Sequence, residues 1–170
     1  MGRRCNLDLV LIRHAEAEEH SADGADASRR LTARGAAQAA GIARALRQFP
    51  LQDAEIWYSP KERTRQTAAA LQAELQASVY RAEEALITGN LSRLQFAWQE
   101  DQAKQVILVG HQPLLGDWIA QLAGIHLPIA KASVTFLREK TPGGRFQFLG
   151  HFRPELFAAA NPPEKNPCAC

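Results

Sequence analysis

Apolar residues along this chain follow two alternating rhythms. Short runs that are continuous, or that repeat every second residue, predict strands over 8–12, 55–58, 79–81, 106–109, 133–138 and 145–150. Between most of them the spacing lengthens to three and four residues. The stretch "LTARGAAQAAGIARALRQF" puts Ala36, Ala39, Ala43 and Leu46 on one helical face, with Thr32 as N-cap. In "SPKERTRQTAAALQAEL", Ser59 is placed to cap and Pro60 suits a first turn, while Ala68, Leu71 and Leu75 repeat at helical spacing. Leu91, Leu94 and Trp98 predict a third helix. A fourth follows "GHQP", burying Leu115, Trp118, Ile119 and Leu122 and ending at Gly124. Strands alternating with helices make a mainly parallel sheet covered on both faces, a three-layer α/β sandwich. "TPGG", Thr141 to Gly144, joins the last two strands as a hairpin and so predicts an antiparallel edge.

At 170 residues and 46% hydrophobic, the chain has enough apolar surface for one core. One domain is expected over 1–157, followed by a flexible tail over 158–170. A net charge of +2, with neither a basic stripe nor an aromatic platform, argues against a nucleic-acid partner. No apolar run is long enough to cross a bilayer and the first residues lack a signal-peptide pattern, so a cytoplasmic protein without a membrane partner is expected. Cys5, Cys168 and Cys170 are odd in number and confined to the ends, which is no disulfide framework. His14 and Glu16 with the terminal "PCAC" imitate a zinc-deaminase pattern. Only one residue separates the two cysteines, however, where that pattern needs two, so no metal is expected, nor any other cofactor.

In open α/β sheets, ligands bind beyond the carboxyl ends of the strands. Here the first strand delivers Arg13 and His14 to that crest, the second delivers Ser59 and a helix start carrying Arg63, and the fourth delivers His111. Two guanidiniums and two imidazoles suit a phosphoryl group, whose charge spreads over three oxygens. A neutral imidazole is also a nucleophile, and neighbouring arginines are expected to keep it unprotonated. His20, His126 and His151 lack this context and read as structural or surface residues. The loop 16–30 is acidic and rich in small residues. It is either a solvated surface loop or a segment, with Asp26 and Arg29, that folds over the site or orients the clamp.

These residues sit in four ordered motifs. "LIRHAEA" resembles the Arg-His-Gly signature of the histidine phosphatase superfamily, "RRLTARG" its Leu-Thr-x-x-Gly, "SPKERTRQTA" its Ser-Pro-x-x-Arg-Ala-x-x-Thr, and "VILVGHQP" its second-histidine strand. With "KASVTFLRE", the resemblance covers about residues 8–155 and is nearest to the small SixA-type phosphohistidine phosphatases. It implies a phosphoglycerate mutase-like fold, His14 as the nucleophile that becomes phosphorylated, and Arg13, Arg63 and His111 as the phosphate-binding clamp. Ala15 replaces the signature glycine and Thr64 the usual alanine, both with small side chains.

Many members of the family place an acid after the third strand. Here only Glu83 and Glu84 are available, and the general acid is one of these or neither. An alkoxide leaving group needs a proton more than an imidazole does. Residues 78–104 also leave little room for a lid over the pocket. Both features favour a phosphorylated protein substrate carrying phosphohistidine, a phosphorelay histidine protein among the candidates. The alternatives are a small-molecule phosphomonoesterase and a non-catalytic phosphate-binding adaptor.

Overall fold

A computed structural model describes residues 7–51, 54–141 and 143–159. Its strands are β1 (Asp8–Arg13), β2 (Ala54–Tyr58), β3 (Tyr80–Ala82), β4 (Gln105–Gly110), β5 (Val134–Glu139) and β6 (Phe146–Phe152). The helices are α1 (Ala33–Leu46), α2 (Glu62–Leu75), α3 (Ala85–Thr88), α4 (Leu91–Glu100), α5 (Leu114–Ala123) and α6 (Pro154–Ala159). One sheet runs in the order β3-β2-β4-β1-β5-β6. The first four strands are mutually parallel, and β5 and β6 form the expected antiparallel side.

The period of two along the central strands divides the core. Leu9, Leu11, Trp57, Val106 and Leu108 face α3, α4 and α5, packing with Leu94, Trp98, Leu115, Trp118, Ile119 and Leu122. Val10, Ile12, Ile56, Ile107 and Val109 face the other way, onto Ala39, Ile42, Ala43 and Leu46 of α1 and Ala68 and Leu71 of α2. This is the three-layer sandwich that the alternation of patterns predicts.

The predicted elements shift in detail. Ala36 is exposed, and the buried face of α1 runs through Gly35, Ala39, Ile42, Ala43 and Leu46. Thr32 caps that helix as expected, accepting from Gly35 N–H at 3.0 Å. Ser59 is not a helix cap. Helix α2 starts only at Glu62, after Lys61, which makes no side-chain cap. Leu75, at its far end, is half-buried, while Gly124 closes α5 in the left-handed conformation. The 3-10 turn Asp26–Ser28 and the helices α3 and α6 carry too few periodic positions to be seen in the sequence. Cys5, Cys168 and Cys170 lie outside the described residues, as does all of the expected tail beyond 159.

Gly35 shows why a helix start can demand glycine without any unusual dihedral. A Cβ built there would lie 1.8 Å from the carbonyl oxygen of Glu16. The Glu16 oxygen also accepts the Thr32 N–H at 3.1 Å, and Glu16 Oε1 accepts the Thr32 hydroxyl at 2.9 Å. The Leu-Thr-x-x-Gly stretch therefore docks the chain leaving β1 onto the start of α1.

Candidate active site

Strand register assembles the site. Arg13 pairs with Gly110 across β1 and β4, and Tyr58 pairs with Val109 across β2 and β4. Each chain leaves the sheet on a ladder bond, His14 N–H donating to Gly110 O at 3.0 Å and Ser59 N–H to Val109 O at 3.1 Å. Three adjacent parallel strands thus end level, and the residues just past them, His14, Ser59 and His111, meet. The two imidazole rings lie 5.2 Å apart, tilted by 59°. Arg13, His14, Arg63 and His111, predicted to converge, all line one cleft of about 440 Å³. A second hollow, about 180 Å³ and mainly apolar, lies among Leu9, Phe49, Phe136 and Phe152, away from these groups.

His14 is buried and its tautomer is dictated by its neighbours. Nδ1 lies 2.8 Å from the carbonyl oxygen of Ala15, which only accepts, so Nδ1 carries the proton and donates. Nε2 then holds a lone pair and accepts from Arg63 Nε at 3.3 Å. A pair of electrons is presented to the cleft beside a guanidinium. The His14 pKa is lowered to about 4, with burial the largest cause. The sequence points to the arginines for this effect. Arg63 and Arg13 do contribute, but behind desolvation and against an opposing push from the bond to Ala15.

The turn after His14 is fixed from α2. Thr67 is fully buried. Its hydroxyl accepts the Ala15 N–H at 3.1 Å and donates to Arg63 O at 2.7 Å. One side chain therefore ties the backbone beside the histidine to the helix turn that carries the arginine. The threonine of the "SPKERTRQTA" motif acquires its physical reason here, which its place in the sequence alone does not disclose.

Arg63 itself is held from three directions. Besides His14, its Nη1 donates to Asp26 O at 2.7 Å and its Nη2 to Asp26 Oδ2 at 3.2 Å. The same carboxylate accepts from Lys61 Nζ at 2.6 Å and Arg29 Nη1 at 3.0 Å, and Lys61 holds its pKa well below the usual carboxylate range. Of the two readings left open for loop 16–30, the structure selects the second. The loop is tied by the Ala17–Leu31 bridge and by Glu18 N–H donating to Arg30 O at 2.9 Å, and its Asp26 orients Arg63.

His111 Nε2 lies 2.8 Å from Ser59 Oγ, so the serine that the sequence offers as a helix cap instead orients the second histidine. Burial first, then His14 and Arg63, lower the His111 pKa to about 3. His111 Nδ1 and Arg13 Nε are buried with no hydrogen-bond partner among the described residues, while Arg13 Nη1 donates to Ile129 O at 2.8 Å. The cations that line the cleft, Arg13, Arg29, Lys61, Arg63 and Lys131, fit an oxyanion.

Neither Glu83 nor Glu84 lines the cleft. Glu83 instead pairs with Arg81 at 2.7 Å. Among the described residues that line it there is no carboxylate at all. His20 and His126 are exposed, and His151 meets Thr135 Oγ1 at 2.9 Å on the antiparallel strands, as their lack of crest context implies.

Residues 9–106, more than half of the chain, match the histidine phosphatase superfamily, branch 1. The chain belongs to this superfamily. Along nearly its whole length this histidine phosphatase homologue is similar to an uncharacterized protein of Picosynechococcus sp. strain PCC 7002, with 32% identity over 92% of this chain and 97% of that protein. The protein histidine phosphatase SixA, solved in complex with tungstate, shares its fold with a TM-score of 0.76, at 21% identity over 88% of this chain and 99% of that one. The mycobacterial glucosyl-3-phosphoglycerate phosphatase is also similar, with a TM-score of 0.60 at 18% identity, over 84% of this chain and 97% of that one. At such identities the likeness is one of fold, shared by phosphatases named for protein and for small-molecule substrates.

Proposed function

We propose that this member of the superfamily is a phosphatase that forms a covalent phosphohistidine at His14 and takes its phosphoryl group from phosphohistidine on a protein. The observation that carries the reading is an unprotonated His14 Nε2, its lone pair held toward Arg63 Nε, in a cleft lined by cations. In the first step His14 Nε2 attacks phosphorus in line, forming an N–P bond as the substrate's own P–N bond breaks. Arg13, Arg63 and His111 hold the three equatorial oxygens. The departing imidazole keeps the bonding electron pair and takes a proton from solvent. Ala15 O, accepting from Nδ1–H, stabilises the positive charge that develops on the His14 ring. Water then attacks the phosphorus of phospho-His14, releasing inorganic phosphate and restoring the lone pair.

An imidazole departs with less help from an acid than an alkoxide does, so a cleft whose neighbouring carboxylate, Asp26, is held ionised by Lys61, Arg29 and Arg63 suits a phosphoramidate better than a phosphate ester. The likeness to SixA in complex with tungstate supports the same direction, and that to a glucosyl-3-phosphoglycerate phosphatase supports a phosphomonoesterase as the second reading. A panel of phosphohistidine protein, phosphoramidate, sugar phosphates and phosphotyrosine separates the two. Higher kcat/KM on the phosphohistidine substrates supports the proposal, and a preference for esters overturns it. A short pulse of labelled phosphoramidate should leave acid-labile label on the protein, and His14→Ala should lose both label and turnover. Label and turnover surviving in that variant would contradict the assignment of His14.

A further inference from the structure

Of the five cationic side chains lining the cleft, four are committed within the protein. Arg13 donates to Ile129 O, Arg63 to Asp26 and His14, Arg29 to Glu18 O and Asp26, and Lys61 to Asp26. Lys131 is the exception: among the described residues it makes no hydrogen bond and no ion pair, and it is exposed. Its backbone, in contrast, is tightly fixed. The Ala130 carbonyl accepts both the N–H of Ser133, at 3.2 Å, and its hydroxyl, at 2.8 Å. Ala132, fully buried, adopts φ 59°, a left-handed conformation that an alanine rarely takes. Its N–H donates to both Arg13 O and His14 O at 3.1 Å. The turn is thus strained to grip the two residues that begin the site, while the lysine between its buried anchors reaches outward with its charge unmatched. Backbone strain of this kind persists where the surroundings over-determine it, and it gathers at functional sites.

In the reaction proposed above, Arg13, Arg63 and His111 hold the three phosphoryl oxygens, so the phosphoryl group needs no further cation from the rim. Lys131 therefore meets whatever the phosphoryl group is attached to. Charge complementarity sets the class: a group near the phosphohistidine that carries negative charge, met by an ammonium on a flexible stem. Ile87, 39% exposed, lines the same cleft and offers an apolar contact to the chain bearing that group.

We propose that Lys131 is a specificity-determining residue that pairs with an acidic side chain flanking the phosphohistidine of a protein substrate. This rests on the phosphohistidine reading above and names what surrounds the scissile bond. Lys131 lines the same cleft as His14, which puts its ammonium on the side from which a substrate enters.

The test is a charge-swap cycle on synthetic phosphohistidine peptides in which the residue four positions from the phosphohistidine is Asp, Asn or Lys. The wild-type protein should show a kcat/KM about fivefold higher for the Asp peptide than for the Asn peptide, with the Lys peptide poorest, a size expected of one partly exposed ion pair. Lys131→Ala should bring the Asp to Asn ratio to about one, Lys131→Arg should preserve it, and Lys131→Glu should favour the Lys peptide. An Asp to Asn ratio unchanged in Lys131→Ala would overturn the proposal. So would efficient turnover of free phosphoserine with the same dependence on Lys131, which would assign the lysine to a small carboxylated ester. Wild-type turnover of the Asn peptide reports the phosphohistidine reading on its own, so a failure of that reading and a failure of Lys131 are distinguishable.

Discussion

Replacing Thr67 by valine removes one oxygen and almost no volume, so its consequence can be worked from hydrogen bonds alone. The hydroxyl is the acceptor for Ala15 N–H at 3.1 Å, and both residues are fully buried. Without it that buried N–H has no other acceptor among the described residues, a loss of about 1–3 kcal/mol. The other bond, to Arg63 O at 2.7 Å, matters less, because that carbonyl also stands in the α2 ladder. The expected destabilisation is about 2 kcal/mol, and at about 2–4 °C per kcal/mol for a domain of this size the Tm should fall by about 4–8 °C.

Activity should fall too, by about tenfold in kcat, since the backbone around Ala15 sets the His14 ring through the 2.8 Å bond to Nδ1, and small displacements at a nucleophile are costly. Differential scanning fluorimetry and steady-state hydrolysis of phosphoramidate measure the two effects. Thr67→Ser keeps the oxygen and loses only a methyl group, about 0.8 kcal/mol, so it should retain nearly full turnover. A valine variant with wild-type Tm and kcat would refute the claim that this hydroxyl holds the turn.

Both site histidines stay neutral in the folded protein far below their ordinary pKa of about 6.5. With His14 lowered to about 4, kcat/KM should hold through pH 6 and decline only as pH approaches 4, and an acid limb centred near 6.5 would contradict the neutral tautomer. In the unfolded chain the same imidazoles take up protons below about pH 6.5, while the folded state excludes them until about pH 4 for His14 and about 3 for His111. The unfolded state then binds more protons, so stability is complete above that window and is lost as pH falls through it, which Tm measured against pH will show. Asp26→Asn keeps the backbone acceptor for Arg63 but removes the charge shared by Lys61, Arg29 and Arg63. Because that carboxylate is 53% exposed, stability should change by less than about 1 kcal/mol, while kcat falls by about tenfold as Arg63 loses its alignment. An unchanged kcat in steady-state assays would show that Arg63 needs no such anchor.

Much of this protein was legible from its order of residues, because periodicity and strand ends are local properties. Continuous apolar runs in "LVLIR" and "VILVG" mark buried strands, and their sequels Arg13, His14 and His111 fall on a predictable crest. What periodicity cannot carry is the register between strands and the reach of one loop to another. The role of Ser59 depends on β2 and β4 ending level, a fact of sheet pairing that no cap propensity encodes. Asp26 is open to two readings, solvated or turned to the site, until the chain returns 37 positions later with Arg63. The depression of the His14 pKa depends chiefly on how much protein covers the ring, which is a sum over segments from the whole chain. The sequence by itself therefore determined the elements and the chemical cast. Only the tertiary structure decided which atoms face one another, because hydrogen bonds and desolvation depend on distances in space and not on separation along the chain.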